Sequence, residues 1–116
     1  MRDPFDVKAW RVMRGADIAI SRMDTHTVVV VIGEMDLVSK ALLIEQVDKV
    51  LGQGAQLVII NLSGVTFLDA QGLSALVISR VHAAILQRRM MLTEVPAAVR
   101  RLLEITNLDD SFAWTT

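Results

Sequence analysis

Three acidic side chains follow the apolar runs of this chain and are the first candidates for chemistry. Glu34 and Asp36 come after a run of valines, and Asp69 comes after residues 65–68. Ligands of α/β sheets bind at such positions, so these acids could hold Mg²⁺ or work as an acid/base site. Asp36 and Asp69 also suit helix capping, because an aspartate there accepts hydrogen bonds from the free N–H groups of the first turn. We favour the capping interpretation.

Further catalytic groups are scarce. The chain contains no cysteine, which excludes thiol catalysis, disulfides and Cys-ligated zinc. Its two histidines, His26 and His82, belong to no recognisable metal-binding motif. An enzyme that uses Asp69 and His82 is the least favoured hypothesis. We expect a protein that is not an enzyme, with no catalytic residue, no bound metal and no cofactor.

Composition restricts the partners and the location. The 116 residues are 53% hydrophobic and carry 12 basic and 13 acidic side chains, a formal net charge of −1. No clustered positive face is available for nucleic acid, because Arg88-Arg89 and Arg100-Arg101 are the only basic pairs. The first residues lack the apolar core of a signal peptide, and no apolar run approaches the ~20 residues that span a bilayer. We expect a cytoplasmic protein with no nucleic-acid or membrane partner.

Apolar periodicity predicts an α/β fold in the order β-β-α-β-α-β-α-β. The strands are expected at 18–22, 28–32, 57–62, 90–95 and 112–114, and the helices after Asp36, at about 70–87 and from Pro96. This alternation predicts a mixed, mostly parallel sheet of about five strands with three or four helices, and leaves open whether the helices cover one face or both. The unbroken valine run predicts a central strand covered on both faces. We place one domain at 17–116 after an N-terminal arm at 1–16.

The first two helices show apolar stripes. In the first, the stripe contains Val38, Ala41, Leu42, Val47, Val50 and Leu51. In the second, the predicted inner face contains Leu73, Val77, Val81, Ala84 and Ile85, with Ala70 and Ser74 beside them, and the outer face contains Gln71, Ala75, Ile78, Ser79, His82 and Leu86. Such an apolar outer face indicates a protein partner. Gly72 either admits close approach by another molecule or relieves crowding between helix and sheet.

Three segments resemble one known family. They are Gly-Glu-Met-Asp at 33–36, Phe-Leu-Asp-Ala-Gln-Gly-Leu at 67–73 and Pro-Ala-Ala-Val-Arg-Arg-Leu-Leu at 96–103. Their spacing and the β/α order around them resemble the STAS domain of bacterial anti-sigma factor antagonists over about 17–116. The resemblance implies a STAS-like mixed sheet and a protein that is no enzyme. It implies binding to an anti-sigma factor, often a serine kinase of the GHKL ATPase type, and hence release of a sigma factor.

The chain departs from this family at one functional position. In the family, the residue after the motif aspartate is a serine whose phosphorylation blocks binding, but here it is Ala70, and Gln71 follows. Alanine has no hydroxyl to accept a phosphate, so the usual switch is absent. Ser74 is interpreted as a packing residue that points toward the sheet, and Ser63 and Thr66 stay weak alternative acceptors.

The leading hypothesis is an antagonist that binds its anti-sigma factor without control at position 70. The alternative is a scaffold or sensing STAS module in a larger regulatory assembly, with residues 33–36 and 69–72 holding a small anionic ligand at a helix N-terminus. The sequence leaves the oligomeric state open. The residues predicted to contact the partner are Glu34, Asp36, Asp69, Ala70, Gln71, Gly72, Ala75, Ile78 and His82.

Overall fold

The computed structural model describes residues 7–13 and 16–114, with side chains from Asp17 to Trp114. The strands of this part of the chain are β1 Val7–Met13, β2 Ala16–Arg22, β3 Thr27–Met35, β4 Leu57–Leu68, β5 Arg89–Thr93 and β6 Ala113–Trp114. The helices are α1 Leu37–Gly52, α2 Ala70–Ile85 and α3 Ala97–Ile105, followed by a short 3₁₀ helix, Asp109–Ser111. From β2 onward, this order confirms the predicted β-β-α-β-α-β-α-β.

The strands form one mixed sheet in the spatial order β1-β2-β3-β4-β5-β6. The pairs β1–β2 and β2–β3 are antiparallel, whereas β3, β4, β5 and β6 run parallel. This confirms the predicted α/β fold. The sheet has one strand more than expected, because β1 lies inside the predicted arm at 1–16 and pairs with β2. The domain boundary after residue 16 stays a prediction.

One face of the sheet carries all three helices. Consecutive parallel strands joined by right-handed crossovers place α1, α2 and α3 on the same side, where their buried residues form one core with those of the strands. Val29 and Val31 of β3 point into this core and are buried. Val28 and Val30, which alternate with them, are only half-buried, and Ile32 is 42% exposed. The prediction that this strand is covered on both faces is therefore wrong.

The stripe predicted for α1 is wrong in the first turn. Its members from residue 42 onward are buried as predicted, but Val38 and Ala41 are exposed. Ser39 is buried in their place, because its hydroxyl donates a hydrogen bond to the Glu34 carbonyl oxygen at 2.9 Å. This contact turns the Ser39 side of the first turn inward.

The two faces predicted for α2 are wrong in part, since Leu73 is buried and Gln71 and Leu86 are exposed as predicted but other positions are exchanged. The buried residues are Gly72, Leu73, Ala75, Leu76, Ser79 and Ala83. Val81 and Ile85 were expected in the core but are 41% and 72% exposed, whereas Ala75 and Ser79 were expected outside but are completely buried. The reason is that α2 packs against α1 as well as the sheet. Small side chains allow that close approach, and Leu73 and Leu76 fill the core beside them.

The last helix confirms its predicted position within one residue. Pro96 is the N-cap residue of α3 and not its first helical residue. Asn107 has a φ of 60° just after the helix end at Ile105. Of the helices in the described ranges, none has both the length and the apolar character needed to cross a membrane.

Candidate functional site

The predicted site residues meet where β3 and β4 end. β4 continues beyond its predicted end at residue 62 to Leu68, and it stays paired with β3 through two register shifts. Glu34 therefore pairs with Phe67, and Met35 pairs with Leu68. Because the two parallel strands end together, α1 and α2 begin side by side at the same edge of the sheet.

Asp36 caps α1 with its side chain. Its Oδ1 accepts hydrogen bonds from the Val38 N–H at 3.0 Å and the Ser39 N–H at 3.2 Å. In return, the Ser39 hydroxyl oxygen accepts a hydrogen bond from the Asp36 N–H at 2.9 Å. These reciprocal bonds satisfy N–H groups that a helix start otherwise leaves unpaired. The predicted capping role of Asp36 is confirmed.

Asp69 caps α2 and also ties the helix to β3. Its Oδ1 accepts hydrogen bonds from the Gln71 N–H at 2.9 Å and the Gly72 N–H at 3.1 Å. Its own backbone N–H donates to the Met35 carbonyl oxygen at 3.2 Å. The predicted cap is again confirmed, and the start of α2 is held by the end of the neighbouring strand.

Gly72 lies directly against the end of β3. A Cβ atom here would collide with the carbonyl group and the Cβ of Met35. Of the two interpretations of Gly72, the structure therefore supports relief of crowding between helix and sheet. The residue is buried, so it is not accessible as the partner contact that the sequence predicted.

The geometry does not assemble the metal or acid/base site considered from the sequence. Each of the two aspartates accepts hydrogen bonds from the first turn of its own helix. In the described part of the chain, no three His, Cys, Asp or Glu side chains are grouped so that they could hold a metal ion. His82 lies roughly 20 Å from Asp69 along α2, at about 1.5 Å per residue, so the two cannot act on one substrate atom.

Two predicted contacts on α2, His82 and Ala75, lie where the helix packs against α1 or the core. The His82 Nδ1 atom lies 2.7 Å from Oδ1 of Asp48 on α1, with both side chains partly exposed. Ala75 is completely buried. The prediction that Ala75 lies on the outer face is wrong, whereas the His82 side chain stays 39% exposed beside α1. Ile78 is half-buried.

Large apolar side chains beside the two caps were missed by the sequence prediction. Leu37 is 66% exposed and Phe67 is 50% exposed. The sequence contained a signal for these exposed side chains, since Leu37 directly follows one capping aspartate and Phe67 lies two residues before the other. The exposed residues of this region are Glu34, Leu37, Val38, Phe67, Ala70 and Gln71, which we call the cap edge.

The cap edge is apolar with an acidic border. Glu34 is exposed, and the capping carboxylates of Asp36 and Asp69 are half-buried. The Lys40 Nζ donates a hydrogen bond to Gln71 Oε1 at 3.1 Å, which links the first turns of α1 and α2. The arrangement suits contact with another macromolecule through side chains and backbone.

A cavity of about 170 Å³ lies at the opposite edge of the sheet. It is lined by the β2–β3 hairpin, which includes His26, and by residues 53–56 after α1. It includes none of the predicted site residues. The cap edge and this cavity are therefore separate features.

Solved structures share this fold. An anti-sigma factor antagonist from Mycobacterium paratuberculosis superposes with a TM-score of 0.73 at 24% identity, covering 98% of this chain and 89% of that chain. Unphosphorylated SpoIIAA, a Bacillus protein, gives a TM-score of 0.72 at 16% identity, with coverage of 85% and 88%. RsbS from Moorella thermoacetica gives 0.67 at 20% identity, with coverage of 84% and 85%.

The family assignment follows from sequence and fold together. The resemblance stated above rested on three short segments and on the element order. The STAS domain family matches residues 17–116 as a whole. The chain belongs to the STAS domain family.

Proposed function

We propose that this protein is an anti-sigma factor antagonist. It binds an anti-sigma factor through the cap edge in the bacterial cytoplasm and so relieves inhibition of a sigma factor, without catalysing a reaction. The observation that carries the proposal is the exposed apolar surface beside two helix starts. The proposal is also supported by the fold that this chain shares with an anti-sigma factor antagonist from Mycobacterium paratuberculosis.

The exposed apolar side chains favour a protein partner. Leu37, Val38 and Phe67 all expose at least 43% of their surface within this one edge. Apolar groups gathered in this way commonly mark a protein interface, because a partner that covers them removes apolar surface from water. The acidic border adds a preference for a partner with basic residues around an apolar centre.

The alternative, a module that senses a small anion, receives less support. A helix start binds anions through unpaired N–H groups. Here the Asp36 and Asp69 carboxylates already accept hydrogen bonds from those groups, as the four distances above describe. A bound anion would have to displace one of these carboxylates, which is also negatively charged.

Ala70 determines how this antagonist is controlled. It is the first residue of α2 and is exposed, so it is accessible within the cap edge. A phosphate there would add about −1.5 to −2 charges beside Glu34 and Asp69, but alanine provides no acceptor. We propose that binding to the anti-sigma factor, including one that is a GHKL-type serine kinase, is not switched off at this position.

The direct test is binding of the purified protein to each anti-sigma factor encoded in the source genome, measured by titration calorimetry. We expect one of them to bind, and Phe67→Ala to weaken that complex at least about tenfold, which corresponds to 1.4 kcal/mol. Ile105→Ala is the matched control, because Ile105 is 67% exposed on α3, away from the cap edge. Absence of binding to every anti-sigma factor would contradict the proposal.

Control at position 70 has its own test. If the partner is an active kinase, Ala70→Ser creates a hydroxyl at the exposed start of α2, and we expect phosphate transfer to it from labelled ATP. The unaltered chain should stay unlabelled. Labelling of the unaltered chain would show that another hydroxyl, such as that of the exposed Thr66, is the acceptor.

A further inference from the structure

The outer face of α2 is uncharged along its whole length and apolar apart from Ser74. Successive helical residues are about 100° apart, which puts Ala70, Ser74, Val77, Ile78, Val81 and Ile85 opposite the buried set that surrounds Leu76. Ser74 is half-buried on this face, so the prediction that it points toward the sheet is wrong. Val81 and Ile85 are 41% and 72% exposed. We call Val77, Ile78, Val81 and Ile85 the α2 ridge.

The α2 ridge carries no charge. Arg80 and His82 are the titratable residues of α2, and both are directed to its flanks. The Arg80 guanidinium carbon lies 5.4 Å from the centroid of the Phe112 ring, and His82 pairs with Asp48 of α1. A groove that covers the ridge therefore needs no charged group, and a buried charge in that groove would lack a partner.

The spacing of the ridge fits one mode of recognition. Val77, Val81 and Ile85 recur every four residues, and Ile78 adds a contact seven residues before Ile85. Counted from Ile78, the ridge residues stand at i, i+3 and i+7, and a helix that lies in an apolar groove of another protein uses anchors at this spacing. Val77 packs partly against the protein's own core, whereas Val81 and Ile85 are exposed and the buried side of α2 is built from other residues.

The ridge is continuous with the cap edge. Ala70 of the cap edge lies on the same outer face of α2 as the ridge, and α2 with its 16 residues is about 24 Å long. A stable interface buries about 800 Å² on each partner, which as a disc is about 32 Å across. One bound protein is therefore wide enough to cover the cap edge and the ridge together.

We infer that the α2 ridge docks into an uncharged apolar groove of the same anti-sigma factor that binds the cap edge. The inference rests on the proposed function and extends it. It assigns the far half of α2, which carries no capping or family motif, to recognition of the partner. Capping and packing at the cap edge position the helix, and the ridge supplies a second contact area.

The test compares two isoleucines that each end a helix. Ile85→Lys places a charge on the ridge, and Ile105→Lys places the same charge at the end of α3, where the isoleucine is 67% exposed. We expect Ile85→Lys to weaken binding to the anti-sigma factor at least about tenfold, while Ile105→Lys stays within about twofold of the unaltered chain. Ile85→Ala should weaken binding by about threefold with an unchanged circular dichroism spectrum.

Three results would overturn the inference, in distinguishable ways. If Ile85→Lys binds as well as Ile105→Lys, the ridge lies outside the interface while the proposed function stands. If the chain alone forms a dimer in sedimentation velocity runs and Ile85→Lys abolishes it, the ridge binds a second copy of this chain. If no anti-sigma factor binds the unaltered chain, the proposed function and this inference fail together.

Discussion

The two sides of α2 are both apolar, whereas most helices on a sheet have a polar outer side. The buried side combines two leucines with small residues such as Gly72, Ala75 and Ala83, and the exposed side uses Val81 and Ile85. The buried side is adapted to close approach of α1 and of the end of β3. The exposed side keeps apolar surface that the chain does not cover. The comparison teaches that side-chain size on this helix follows how near each neighbour lies, and that burial does not follow hydrophobicity alone.

The sharpest test of the buried side is Gly72→Ala. The new methyl group would collide with the backbone of Met35, which cannot move without disturbing β3, so we expect a loss of about 3 kcal/mol in the free energy of unfolding. Urea denaturation measures it. Gly52→Ala is the control, because nothing lies within 4 Å of a Cβ there. A Gly72→Ala protein as stable as the control would show that α2 does not need this approach.

Ala75→Leu tests the middle of the same side. Ala75 is completely buried, so three added carbons must displace packed neighbours, and we expect a loss of about 2 kcal/mol. Ala84→Leu makes the same change at an exposed position of α2 and should alter stability by less than about 0.5 kcal/mol. Thermal melts of the two variants compare them directly, and equal melting temperatures would contradict the assigned faces.

Asp69→Ala tests the end of α2 that both sides share. Loss of the two accepted hydrogen bonds leaves N–H groups of the first turn unpaired, and we expect a cost of about 1 kcal/mol. Asp69→Asn, which keeps an accepting oxygen, should restore most of it. If the alanine and asparagine variants unfold at the same urea concentration, the side-chain cap contributes little.

Substitutions on the exposed side of α2 should change the free energy of unfolding least. Val81→Ala removes methyl groups that are partly in water already, since Val81 is 41% exposed, and we expect a change in stability below about 0.5 kcal/mol. Denaturation midpoints of this variant and the unaltered chain measure it. A loss above about 1.5 kcal/mol would place Val81 in the core, as the sequence pattern first predicted.

Short-range patterns predicted the elements and the caps well. The valine run and the two aspartates each act within a few residues, through backbone preferences and local hydrogen bonds. The cap edge was predicted in part for the same reason. Leu37 and Phe67 were missed because their exposure depends on where β3 and β4 end together, and that register is a contact between distant segments.

The amino-acid sequence by itself determined the order of strands and helices, the two aspartate caps and the absence of a hydroxyl at Ala70, because each depends on local chain chemistry. Only the tertiary structure decided which side of α2 is buried and which is free. An apolar residue has the same helix propensity whether its side chain faces the core or a partner protein. The choice depends on how closely α2 approaches its neighbours at Gly72 and Ala75. The periodicity of the sequence contains no information about that distance.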